Sequence, residues 1–151
     1  MSEASFSSVD QQVLDWVTSH RDLLTENFVS ELRTINTPYY RSINDNMREW
    51  IARTYLDKLT DRLRGKPMDA LEIKNIYAGR IKEGVPLNEL SDTADRLQNV
   101  VIATARRHML NQDQVLASLE KKVTYFFTLA KTGMAAALIE VMGKPSGKTS
   151  S

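Results

Sequence analysis

Two histidines, three pairs of nearby carboxylates and a handful of aromatic side chains are the only residues of this chain whose types invite chemistry. There is no cysteine in the 151 residues. That removes a thiolate nucleophile, an iron–sulfur cluster, a disulfide framework and every sulfur-liganded zinc site. His20 and His108 are far apart and each is expected to stand alone, and neither sits in a metal-binding spacing such as H-E-x-x-H. His108 follows Arg106 and Arg107 at a predicted helix end, where a cation complements the helix dipole. A haem reading of His108 fails on element order, because only one long helix follows it. Asp10 with Asp15, Glu83 with Glu89, and Asp92 with Asp95 read as solvated helix faces rather than acid–base pairs. Gly79 and Gly84 stand singly, so no phosphate-cradling loop is present. Neither enzymatic activity nor a cofactor or metal is expected. Trp50, Tyr55, Tyr77 and Phe127 remain as the candidate lining of a small ligand pocket between helices.

The composition sets the bounds on partners. Twenty basic residues against nineteen acidic ones leave a net charge of +1, without the broad positive field of a protein that tracks nucleic acid. The basic pairs Arg106–Arg107 and Lys121–Lys122 are interleaved with Asp113 and Glu120, which predicts a solvated patch. With 42% hydrophobic and 26% charged residues the chain can bury one core. The polar, acidic first ten residues contain no targeting pattern, so a cytoplasmic location is expected.

Helices must position these residues, because apolar side chains recur at intervals of three and four and no alternating run persists. Ser7 and Ser8 can cap a first helix through Val17; a second runs from about Asp22 to Ile35 and stops before Pro38. One long helix from Tyr39 to Leu63 ends at Gly65 and Pro67. A helix from Asp69 to Lys82 stops at Gly84, whose lack of a Cβ suits the left-handed position, and Pro86 opens the next, which reaches Met109. The last helix spans about Gln114 to Met142. These elements make one all-α domain over residues 1–143, of five to six helices, with a polar tail at 144–151 expected to be disordered.

The second half of the last helix is apolar around its whole circumference, with Lys131 its only charge between Val123 and Ile139. That run is shorter than the ~20 residues a bilayer needs and has a lysine at its middle, so membrane insertion is not expected. Val123, Phe126, Ala130 and Met134 are assigned to the chain's own core. Tyr125, Leu129, Thr132, Ala136 and Ile139 are assigned to a face that pairs with a second copy, and Gly133 with Ala135, Ala136 and Ala137 would permit close backbone approach.

One segment also resembles a known family. In AGRIKEGVPLNEL, residues 78–90, a helix ends in R-x-x-x-G, a turn reads V-P-L and the next helix opens with E-L; Arg80, Gly84, Pro86, Leu87, Glu89 and Leu90 carry the match. The arrangement resembles the amino-terminal domain of RsbR-type proteins, the RsbT co-antagonists of the bacterial stressosome, over roughly residues 10–142. The resemblance implies a globin-like fold without haem, a homodimer formed through the last helices, and a sensory or signal-input role with a signalling protein as partner. RsbR-type proteins continue into a phosphorylatable STAS domain; the resemblance covers none of it, so it carries over no phosphorylation site. The reading from another class is a binding protein for a small apolar ligand, a fatty acid or a tetrapyrrole.

Overall fold

The computed structural model describes residues 7–143, and the expected tail at 144–151 lies outside them. Seven helices make up the described chain: α1 (Ser8–Ser19), α2 (Arg21–Arg33), α3 (Pro38–Ser42), α4 (Asp45–Leu63), α5 (Ala70–Lys82), α6 (Leu87–His108) and α7 (Asp113–Gly143). No strand occurs among the described residues. Local chemistry sets the boundaries. Ser7 caps α1 in a reciprocal box with Asp10: the Asp10 N–H donates to the Ser7 hydroxyl at 3.1 Å and the Ser7 N–H donates to the Asp10 carboxylate at 2.9 Å. His20 is the hinge residue between α1 and α2. Asp69 caps α5, accepting from the N–H groups of Leu71 and Glu72. Gly65 and Gly84 adopt φ of +94° and +97°, the left-handed geometry that ends a helix without a Cβ penalty.

Two expectations are corrected here. The long helix expected from Tyr39 to Leu63 is two helices, giving seven in place of five to six. Ile43 and Asn44 are extended, and the Asn44 side chain accepts from the Met47 N–H at 2.9 Å, so Asn44 starts α4 afresh. Pro86 is the cap of α6 rather than its first helical residue.

The core is one continuous cluster in which α7 packs against α5, α6, α1 and α4, while α2 packs against α4 and α6. Phe28, Phe126, Phe127, Leu97 and Leu119 are among its largest fully buried members. Ion pairs tie α7 to its neighbours: Lys122 to Asp10 of α1 at 2.9 Å, Glu140 to Lys74 of α5 at 2.7 Å, and Lys131 to Asp95 of α6. The lysine that interrupts the apolar run thus has a partner on the next helix. By length and composition α7 could cross a membrane, its most apolar window reaching a mean hydropathy of 1.3.

Candidate functional site

Two regions of the fold gather the residues of interest. The first is a cleft between α4, α5 and α7, closed at one end by α3 and the start of α6. Tyr39, Tyr40, Trp50, Tyr55, Tyr77 and Phe126 supply its aromatic walls, with Ile73, Leu90 and Ala130 between them. Three of the four expected pocket residues, Trp50, Tyr55 and Tyr77, meet here. Phe127 does not: one residue along a helix is a rotation of about 100°, so Phe126 faces the cleft while Phe127 is buried behind it, its ring 5.7 Å from that of Tyr55.

The polar groups of this cleft are specific. The Tyr55 and Tyr77 hydroxyls share a hydrogen bond of 2.6 Å. Burial pushes both phenols above their ordinary titration range, so both are neutral hydroxyls at physiological pH. Trp50 stands at the mouth, 48% exposed, with the Arg80 guanidinium 5.3 Å from its ring centroid. Arg80 also donates to Glu83 at 2.8 Å, and Lys58, on the same rim, pairs with Glu72 at 2.5 Å. Arg80 and Leu90 are two of the residues that carry the family resemblance; sequence spacing identifies them as a helix stop and start, and the structure adds that both line this cleft. Gly84 makes the turn between them, Leu87 is half-buried, and one carboxylate oxygen of Glu89 is buried without a hydrogen-bond partner. The cavity measures about 60 Å³. Sites that enclose a drug-sized ligand run to roughly 300–1,000 Å³, so a tetrapyrrole or a long-chain fatty acid does not fit the cleft as it stands.

The second region is the outer face of α7. Val123, Phe126, Ala130 and Met134 are all buried, as their assignment to the core requires. Opposite them Tyr125 is 53% exposed, Ile139 is 72% exposed, Thr132 and Ala136 are exposed, and Leu129 is half-buried. Thr128 and Ala135 widen this stripe, which holds no charged side chain from Tyr125 to Ile139. The Arg62 guanidinium covers the Tyr125 ring at 5.5 Å and marks the stripe's basic end. Gly133 serves a different purpose from the one expected. A Cβ there would come within 2.4 Å of the Ile73 Cγ2, so the close approach it permits is to α5 within the chain.

The histidines are a correction. Distant in sequence, they are neighbours in the fold: the His20 and His108 ring centroids lie 5.4 Å apart, and Trp16 stacks on His20 at 4.5 Å. His20 Nδ1 lies 2.9 Å from the Trp16 carbonyl oxygen, which can only accept, so Nδ1 carries the hydrogen. Neither histidine lines the aromatic cleft. No group of three or more candidate metal ligands occurs among the described residues. Arg106 is held by Glu120 through two hydrogen bonds of 2.8 and 3.2 Å, which satisfies much of the basic patch internally.

Comparisons with protein-family models, with curated proteins and with solved structures found no match.

Proposed function

We propose that this chain is a non-enzymatic signal-input and dimerisation module of a bacterial stress-response regulator, a globin-like helical domain of the RsbR amino-terminal kind that works without haem in the cytoplasm. The outer face of α7 carries the reading. An uncharged stripe running from Tyr125 to Ile139, about 21 Å at the helical rise, stays exposed after the chain's own core is complete. Contiguous apolar surface of this kind is what soluble proteins cover with a partner. An isologous pair covers it with the same residues twice, and the ion pairs of Lys131 with Asp95 and of Glu140 with Lys74 hold the helix in place from its flanks. A paired last helix gives a signalling partner a two-fold platform whose geometry an input can alter.

Sedimentation of the chain at tens of micromolar, where an interface of standard size assembles, tests this. The wild type should sediment as a dimer. Ala136→Glu or Leu129→Glu, placing like charges near one another across the axis, should give a monomer with unchanged helical content. A wild-type monomer, or a chain that instead floats with lipid vesicles, would overturn the proposal.

A further inference from the structure

Of the two basic pairs that flank the turn before α7, the first is accounted for by Glu120, which holds Arg106. The second joins cations from elsewhere in the chain. Lys121 and Lys122 line a groove between the carboxyl end of α4 and the first half of α7, together with Arg62, Arg64, Ser118 and Tyr125. Lys122 pairs with Asp10 at 2.9 Å, and Asp61 lies 3.8 Å from both Arg64 and the neighbouring Lys66. Arg62 lies over the Tyr125 ring, and neither it nor Lys121 has a carboxylate partner among the described residues. Five cations thus meet two carboxylates here, in a chain whose net charge is only +1. The end of α4 explains the cations it carries, because positive side chains complement a helix carboxyl end. It does not explain Lys121 and Lys122, which stand about two turns inside α7, far from either of its ends.

We infer that the groove between the end of α4 and α7 is a docking surface for an acidic segment of a partner protein. Each exposed ion pair contributes little by itself, so a lone small anion gains little here. A segment bearing several carboxylates meets Arg62, Arg64, Lys66 and Lys121 together, and no buried charge has to be uncovered first. The groove has a volume of about 700 Å³ and is open to solvent, room enough for a stretch of chain. Its concave form, set between two helices, does not suit a flat bilayer surface. Asp10 and Asp61 interrupt the positive field that a run of phosphates would need. The inference rests on the reading of the chain as a signalling module only in taking a protein as partner; the groove itself is complete within one chain, beside the basic end of the α7 stripe.

A fluorescein-labelled peptide of alternating glutamate and serine is a suitable probe, with its glutamine counterpart as the neutral control. By fluorescence anisotropy the glutamate peptide should bind the chain saturably and the glutamine peptide at least tenfold more weakly. Affinity should fall as ionic strength is raised to the physiological value. Lys121→Glu should weaken binding at least fivefold, whereas Arg107→Glu, the same change of charge at an exposed arginine of α6 outside the groove, should leave it unchanged. Arg62→Gln should weaken it too, and circular dichroism shows that each variant is folded; Lys121, being exposed, is the safer of the two. The amide resonances of Gly65 and Ser118, which line the groove, should shift with the same midpoint. No saturable binding, equal binding of the glutamine peptide, or an equal loss in Arg107→Glu would each overturn the assignment. Tighter binding of a single-stranded oligonucleotide or of anionic phosphatidylserine vesicles would overturn it as well. Sedimentation of the same samples separates the two readings: a dimer that ignores the peptide contradicts the groove alone, and a monomer that binds it contradicts the pairing of α7 alone.

Discussion

Asp45 shows how one side chain can hold a junction together. It opens α4, and hydrogen bonds from Arg33 of α2 and from Arg48 of its own helix lower its carboxyl pKa from the ordinary 3.8 to about 2. A carboxyl whose folded-state pKa is depressed contributes stability above its unfolded value, and that contribution disappears as pH falls through the folded one. Melting temperatures measured from pH 6 to pH 2 should therefore show Asp45→Asn below the wild type at the upper end. The gap should narrow between about pH 4 and pH 2, and a gap independent of pH would contradict the assigned pairing. Gly84 offers a second test at this scale. Its φ of +97° strains any residue with a Cβ, so Gly84→Ala should cost about 1 kcal/mol in chemical denaturation. Ser7, Gly65 and Gly84 were legible from the sequence because their work is local. Asn44 was not. Tyr39, Ile43 and Met47 keep an apolar spacing across the break, and the cap that Asn44 supplies competes with a periodicity that looks continuous.

At the level of elements, the contact of α5 with α7 is the tightest statement the fold makes. Gly133 is there because Ile73, β-branched and stiff, occupies the space a methyl group would need. Gly133→Ala should destabilise the chain by about 1–3 kcal/mol through overpacking, in spite of alanine's better helix propensity. In an Ile73→Ala background the same substitution should become neutral or favourable, and additive effects in the two backgrounds would show that the contact is not what constrains Gly133. The two-sided character of α7 was visible in sequence, as was which side faces the core, because 3.6-residue periodicity resolves opposite faces of one helix. The neighbour that each small residue meets was not visible. Periodicity says nothing about which other helix lies against a face, so Gly133 was grouped with the pairing surface. The same limit explains the interchange of Phe126 and Phe127, which are adjacent in sequence and both fully buried.

Across the whole molecule, the arrangement divides one long helix between two tasks. Its inner face supplies Phe126 and Ala130 to the cleft and Met134 to the core, while its outer face presents Leu129, Thr132 and Ala136 to solvent. Contacts distant in sequence, such as the approach of His20 to His108, come from how α1, α2 and α6 meet and leave no trace in residue spacing. The central claim, that a second copy covers the outer face of α7, can be tested directly because the chain contains no cysteine. Single cysteines at Thr132 or Ala136 lie on the proposed axis-facing stripe, whereas a cysteine at the exposed Ser30 of α2 lies away from it. A disulfide forms only where two Cα atoms come within about 7 Å. Under mild oxidation at tens of micromolar, Thr132→Cys or Ala136→Cys should convert rapidly to a covalent dimer while Ser30→Cys remains largely monomeric. Equal, slow crosslinking at all three positions would contradict the account.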